Sequence, residues 1–212
     1  MSLKGVDSSL KSIAREFSRL EAEREMIIKG SRDVTTICRK AIGDIHGGKN
    51  KESMEKLGNA NTLLVKLRQL NPSLRRYLVP PETEFVEAYT LYNILNRTRL
   101  PSQGSLNVED GSYLLGLLDA IGEVKRLVYD SIRRGENKRA IELFDDMEAI
   151  YLALTPFAIY DHLTHGLKKK LDVARVLVEN VRAAVTEDVR RSEFIKAVTN
   201  LSDRLPSPKK DR

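Results

Sequence analysis

The chain has 212 residues, of which 41% are hydrophobic and 31% charged, with a net charge of +6 and a single cysteine, Cys38. This length is sufficient for one domain with a substantial core, and the lone cysteine excludes an internal disulfide framework. No apolar run approaches the roughly 20 residues of a membrane span, so we expect a cytoplasmic protein without a membrane segment. The positive charge is compatible with a polyanionic partner, although solubility alone also explains it.

Apolar residues recur at a helical period through the first quarter of the chain and predict one very long helix over residues 3–46. Because this helix exceeds the usual length of roughly 8–20 residues, we expect part of it to pack against another subunit. Gly30 interrupts it and indicates a bend. Residues 43–50 nearly match the P-loop pattern, but Asn50 replaces the required Ser or Thr and a helix precedes it. We therefore interpret this segment as a helix C-terminus.

Glycine and proline signals divide the remaining chain into further helical segments. The pattern predicts helices over residues 53–70, 80–97, about 107–134 and 136–154, with a loop over 100–105. Thr155 and Pro156 are typical of a helix start and predict a sixth helix toward residue 186, followed by a short helix over 190–201. No strand pattern is present. We expect one all-α domain over residues 1–204, a bundle of about seven helices, and a disordered tail over 205–212.

Two of the predicted helices each carry a pair of carboxylates at helical spacing. Glu84 and Glu87 follow a double proline, and Asp119 and Glu123 lie on the next long helix. Residues three or four apart are neighbours on a helix, so each pair forms a close doublet. The surrounding positions are largely apolar, where an uncompensated carboxylate is costly. The doublets therefore predict a Mg²⁺ or Mn²⁺ site, because these ions take oxygen ligands. The alternative is that the acids are exposed and pair with Lys or Arg.

The basic runs and the histidines say less about function than the acid doublets do. Runs such as Lys168-Lys169-Lys170 are typical of solvated faces, although several helices together could line a groove for phosphates. Asp161 and His165 have a spacing that could hold a metal. No cysteine or further ligand pattern accompanies them, so we interpret the histidines as surface or core residues.

Several segments, in order along the chain, resemble the translin family and most closely its catalytic branch, translin-associated factor X. They are Ser31-Arg-Asp-Val-Thr35, Arg39-Lys40, Glu84-Phe-Val-Glu-Ala88, Tyr113-Leu-Leu-Gly-Leu-Leu-Asp-Ala-Ile-Gly-Glu123 and Asp130-Ser-Ile-Arg-Arg-Gly135. The resemblance spans about residues 15–193. It implies a translin-like all-α fold that assembles into an octameric shell enclosing nucleic acid.

The resemblance to the catalytic branch implies a metal-dependent endoribonuclease that cleaves single-stranded RNA of the small-RNA or tRNA-fragment type. The catalytic carboxylates of that branch match Glu84, Glu87 and Asp119, and Glu123 matches a further acid. All four would hold Mg²⁺ or Mn²⁺.

We expect three basic residues of the first helix to hold the RNA backbone by charge: Arg32, Arg39 and Lys40. The loop between the third and fourth helices is short, which favours a compact subunit that forms a homo-octamer. The segment Val108-Glu-Asp110 looks more like translin itself. The alternative function is therefore a non-catalytic, translin-like oligomer that binds single-stranded RNA or DNA.

Overall fold

A computed structural model describes residues 4–204, which fold into helices and short loops without a β-strand in that range. Its α-helices are α1 Lys4–His46, α2 Asn50–Arg68, α3 Val79–Leu95, α4 Gln103–Leu106, α5 Asp110–Arg133, α6 Asn137–Leu154 and α7 Leu167–Arg204. Two 3₁₀ helices, Pro72–Leu78 and Thr155–Tyr160, precede α3 and follow α6. The predicted all-α fold of about seven helices with a very long first helix is confirmed. The predicted disordered tail at 205–212 lies outside the described residues.

The two helices that carry the acid doublets, α3 and α5, form the centre of the bundle. They pack on each other, α1 and α2 cover α3, and α6 and α7 cover α5. Because α3 is enclosed on most sides, its apolar residues are distributed around the helix rather than along one stripe, and Phe85, Val86 and Leu91 are all buried. The carboxylates of α3 and α5 therefore originate in the interior of the bundle.

Gly116 on α5 allows the two central helices to approach each other closely. A Cβ atom at this position would lie 2.5 Å from the Cβ of Val86 and 2.6 Å from the carbonyl oxygen of Thr83. No side chain fits in that space, so only glycine permits this separation of the helices. Asp119 lies one turn further along α5, which brings it beside the face of α3 that carries Glu84 and Glu87.

The C-terminal part of the chain differs from the prediction. The sixth helix predicted from Thr155 is wrong, because residues 155–160 form a 3₁₀ helix, a turn follows, and α7 begins only at Leu167. Gly166, with φ of 86°, ends the turn, and the carboxylate of Asp161 accepts a hydrogen bond of 2.8 Å from the backbone N–H of Lys168. The separate helix over 190–201 is also wrong. Neither glycine nor proline occurs between residues 167 and 204, so α7 continues without a break.

Smaller differences occur at helix ends. α2 begins at Asn50, three residues earlier than predicted, and the loop over 100–105 contains the single turn α4, which Ser102 caps. The predicted end of α1 at His46 is confirmed, and Gly48 in the left-handed region (φ of 73°) closes it. α1 continues as an α-helix through Gly30, where the missing side chain leaves room for Leu67 of α2.

The first five turns of α1 extend beyond the rest of the bundle. Their apolar residues Val6, Leu10, Ile13 and Phe17 recur at spacings of three and four and are about half exposed or more. The packing of this segment against another subunit stays a prediction. Among the helices of residues 4–204, none has the length and apolar character required to cross a membrane.

Candidate metal centre and nucleic-acid interface

The structure brings the two acid doublets together around Glu87. Burial, and then the carboxylates of Asp119, Glu84 and Glu123, raise the pKa of Glu87 to about 8. Each of the three neighbours is thus close enough to act on the charge of Glu87. The four carboxylates therefore lie near one another, and their binding of a common cation stays a prediction.

Basic side chains from α1 and α7 contact one acid of each doublet. Arg39 donates through Nη2 to Oε1 of Glu84 at 2.7 Å and through Nε to the same oxygen at 3.2 Å. Lys170, in the first turn of α7, donates through Nζ to Oδ1 of Asp119. Both cations are partly exposed, with 69% of the Arg39 side chain and 36% of the Lys170 side chain accessible to solvent. Long, partly exposed side chains of this kind can leave an ion pair at low cost.

His46, the last residue of α1, contacts the fourth acid. Its Nε2 lies within hydrogen-bond distance of Oε2 of Glu123, and this contact lowers the pKa of the Glu123 carboxyl. The His46 side chain is almost fully buried, and its Nδ1 atom has no hydrogen-bond partner within residues 4–204. The imidazole therefore holds Glu123 in one orientation.

Glu87 differs from the other three acids because no hydrogen bond or ion pair reaches its carboxyl group from the described part of the chain. The charge of Lys170 lowers the pKa of Glu87, but this effect is smaller than those of burial and the three carboxylates. Three of the four carboxylates thus have a basic side chain in direct contact, and Glu87 has none within the described residues. The group that is left over retains its proton up to about pH 8.

The four carboxylates are chemically suitable ligands for a hard divalent cation. In the present structure, however, their oxygens are not arranged to bind one together. Glutamate and aspartate oxygens are the ligands that Mg²⁺ and Mn²⁺ prefer. Within residues 4–204, however, no three His, Cys, Asp or Glu side chains have the spacing of a metal site. The carboxylates of Glu84 and Asp119 point to Arg39 and Lys170 instead. A cation could bind all four acids only after these two side chains release them.

The three basic residues expected to hold RNA are all on α1, and their role in RNA binding stays a prediction. Arg32, Arg39 and Lys40 are all exposed on α1. Arg39 pairs with Glu84, whereas Arg32 and Lys40 make no ion pair within the described residues.

Sequence reasoning missed three side chains that act on the acid cluster: His46, Lys170 and Arg126. Arg126 lies three residues after Glu123 on α5, and its charge also lowers the pKa of that carboxyl. Helical spacing could have identified Arg126. Nothing in the sequence distinguishes Lys170 from its two lysine neighbours.

Glu87 should make the protein less stable as the pH rises. In the unfolded chain its carboxyl has a pKa near 4.5, whereas in the native state the value is about 8. Between these values the native state keeps a proton that the unfolded state has lost, so the free energy of unfolding falls with increasing pH. Glu87→Gln should remove this loss. In EDTA, the variant should melt several degrees above the wild type at about pH 9 and close to it at about pH 4.5.

The exposed Glu142 on α6 provides the matched control. Glu142→Gln should keep the pH dependence of the wild type. Melting curves of wild type and Glu87→Gln that remain parallel across the whole pH range would contradict the assignment of Glu87 as the proton-retaining carboxyl.

Comparisons with known proteins agree with this fold. Residues 73–187 match the model of the translin family. An uncharacterized protein of Methanocaldococcus jannaschii is 31% identical over 185 residues, which cover 84% of this chain and 83% of that protein.

Three solved structures extend the comparison over most of the chain. The crystal structure of AfC3PO is 30% identical with a TM-score of 0.80 and covers 86% of this chain and 98% of its own. The complex of AfC3PO with duplex RNA is 29% identical with a TM-score of 0.78, covering 86% and 97%. Apo-NeC3PO, at 22% identity, a TM-score of 0.74 and coverage of 84% and 96%, shares the fold. The matched family model and the identity to the archaeal relative show that the chain belongs to the translin family.

Proposed function

We propose that this protein is a metal-dependent endoribonuclease that cleaves single-stranded RNA inside a homo-oligomeric shell, of octameric order by its resemblance to the translin family. The observation that carries the proposal is the convergence of Glu84, Glu87, Asp119 and Glu123, which leaves Glu87 half-buried and without a cationic partner in the described chain. Four carboxylates placed together inside a bundle are unfavourable unless a positive charge joins them. Arg39, Lys170 and His46 contact three of the acids, and a divalent cation would supply the positive charge that Glu87 lacks.

Two further observations support an RNA-binding oligomer. AfC3PO, with a TM-score of 0.78, has been solved with duplex RNA. The exposed apolar stripe of α1, from Val6 to Phe17, is typical of a surface that another subunit covers. We infer that a single strand is the substrate, because a half-buried carboxylate cluster is accessible only to a flexible backbone.

In this proposal the four acids would hold Mg²⁺ or Mn²⁺, which would supply positive charge to neutralise the scissile phosphate and to lower the pKa of a bound water. Arg39 and Lys170 are partly exposed, so these side chains could turn from Glu84 and Asp119 to RNA phosphates, while Arg32 and Lys40 would contact the backbone further along α1. Glu87 would have to be ionised to serve as a ligand, and His46 keeps Glu123 in place.

A second function, RNA binding without cleavage, is favoured by the contacts of Arg39, Lys170 and His46 with the acids. If these pairs persist in the assembled protein, the acids contribute to structure rather than to catalysis. The protein would then hold RNA through its exposed basic residues alone.

Cleavage of an end-labelled single-stranded RNA separates the two functions. The wild type should generate products in Mn²⁺ or Mg²⁺ and none in EDTA, while RNA binding measured by filter retention persists in both. A preparation that binds the RNA in EDTA but never yields products with either metal would favour the non-catalytic function. Products of equal yield in EDTA would indicate a contaminating nuclease.

A further inference from the structure

A second charged cluster lies on the side of α3 that faces away from the acid centre. Glu82 precedes Glu84 by two residues and therefore points about 200° away from it around the helix. Glu82 is only 2% exposed. Its Oε1 accepts a hydrogen bond of 2.9 Å from Nε of Arg68, and its Oε2 accepts one of 3.1 Å from the backbone N–H of Glu109. Both oxygens of this buried carboxylate are thus satisfied within the chain.

In contrast to the Glu82 carboxylate, the Arg68 guanidinium has two nitrogen atoms without hydrogen-bond partners in the described chain. The side chain is 8% exposed, and both Nη1 and Nη2 are buried without a hydrogen-bond partner in residues 4–204. Buried polar groups in proteins nearly always have partners, so these N–H groups require an acceptor. The planar guanidinium edge presents parallel N–H donors that match two oxygens of one oxyanion.

Arg68 borders a cavity of the right size and character for such an acceptor. The cavity has a volume of about 250 Å³, and its lining is mainly polar, with Arg75, Gln103, Asn107 and Glu109 beside Arg68. At roughly 30 Å³ per water molecule, this space holds a phosphate group with several waters. It lies among α2, the first 3₁₀ helix and the start of α5, apart from the four acids of the proposed catalytic centre.

The rim of the cavity can supply a second positive charge. Arg75 pairs with Glu109 at 2.9 Å, and both side chains are about half exposed. Such a pair opens at little cost, so Arg75 can turn inward while Glu109 remains in water. The lining contains two arginines and two glutamates, so its formal charge is zero in the present arrangement, and it becomes +1 when Arg75 turns inward and Glu109 turns out into water.

An adjoining groove of about 740 Å³ shares the rim residues Arg75 and Glu109. Its wall includes Phe157, Tyr160 and Leu163, and the rings of Phe157 and Tyr160 lie 6.2 Å apart. A molecule with its phosphate beside Arg68 could place an attached ring against these side chains.

We propose that the cavity at Arg68 binds the phosphate group of a small phosphorylated molecule, with Arg68 and Arg75 as its ligands. Free phosphate and a nucleoside monophosphate share this chemistry. The nucleoside monophosphate would also contact the adjoining groove with its base, whereas free phosphate would not.

Calorimetric titration of the full-length protein tests the proposal with inorganic phosphate, adenosine 5′-monophosphate and adenosine, at constant ionic strength in EDTA. Saturable binding of phosphate, the monophosphate or both, with no binding of adenosine alone, is the expected result. Tighter binding of the monophosphate would assign the site to nucleotides, and equal binding would assign it to free phosphate. No saturable binding of either anion up to about 10 mM would overturn the proposal.

Substitutions of the lining residues test whether the phosphate binds in this cavity. The double variant Arg68→Met, Glu82→Gln removes both buried charges together and should lose affinity about tenfold or more. Arg75→Met, at the exposed rim, should weaken binding without a loss of fold. Arg133→Gln should leave the affinity unchanged, since Arg133 is an exposed residue at the other end of α5, about 35 Å from Asp110. Unchanged affinity in Arg75→Met, or in a folded double variant, would overturn the assignment.

Discussion

Replacing Asp119 with asparagine should reduce Mn²⁺-dependent cleavage of single-stranded RNA by about 100-fold or more and leave the oligomer intact. Loss of a residue that only supports a metal ligand typically costs 10–100-fold, and loss of a proposed ligand should cost at least as much. The asparagine keeps the shape of the side chain but lacks the charge that both Lys170 and a divalent cation use. Initial cleavage rates and the mass of the native particle are the measurements.

Asp130 provides the matched control on the same helix. Its side chain is 34% exposed against 31% for Asp119, and it also has one cationic partner, Arg133. Asp130→Asn should cleave RNA at the rate of the wild type. If Asp119→Asn cleaves as fast as Asp130→Asn at saturating Mn²⁺, Asp119 is not part of the catalytic centre.

Gly116→Ala should lower the free energy of unfolding by about 2 kcal/mol or more. Overpacking a core costs about 1–3 kcal/mol, and a clash with the carbonyl oxygen of Thr83 at 2.6 Å belongs at the upper end because backbone moves less easily than side chains. Alanine recovers about 1 kcal/mol of helix propensity, which reduces the loss but does not cancel it. Chemical denaturation gives the difference directly.

Substitution of Gly122, also on α5, shows the effect of helix propensity alone, without the packing clash expected at Gly116. A Cβ atom at this position would meet nothing within 4 Å. Gly122→Ala should therefore raise stability by roughly 0.5–1 kcal/mol, the ordinary gain of alanine in a helix. Equal stabilities of Gly116→Ala and Gly122→Ala would contradict the close packing of α3 on α5. That packing also positions the acids, so Gly116→Ala should weaken Mn²⁺ binding as well.

Helical spacing predicted the two acid doublets, and the resemblance to the translin family implied that they form one site. Glu84 and Glu87 are three apart on α3, Asp119 and Glu123 are four apart on α5, and both helices have clear amphipathic or apolar patterns. In the structure α3 and α5 pack on each other, although residues 96–109 and the turn α4 lie between them in sequence, and this packing brings the two doublets near each other. The sequence did not reveal that Gly116 determines how closely they approach.

The cationic partners of the acids could not be predicted, because their contacts depend on where α1 ends and α7 begins. His46 and Glu123 are 77 residues apart in sequence, and Lys170 and Asp119 are 51 apart. The helix predicted to begin at Thr155 would have placed Lys170 in its middle rather than in the first turn of α7. A local signal at Thr155 and Pro156 favoured that start, whereas the turn before Gly166 determined the actual one.

A competition between cations follows from this arrangement. Lys170 occupies the Asp119 carboxylate that a divalent ion would need, and Arg39 occupies that of Glu84. An ammonium in an ion pair has one charge and a flexible stem, whereas Mg²⁺ or Mn²⁺, in the proposed function, would bring two charges to the four acids. The exchange would transfer two basic side chains from the acids to the RNA phosphates, which links metal binding to substrate binding.

Anomalous diffraction from a crystal soaked in Mn²⁺ shows whether the four acids bind a divalent cation. We expect a Mn²⁺ peak between Glu84, Glu87, Asp119 and Glu123, with carboxylate oxygens at about 2.1–2.3 Å and the Lys170 ammonium displaced from Asp119. The contradicting result is a fully soaked crystal with no peak at this position and Lys170 still paired with Asp119.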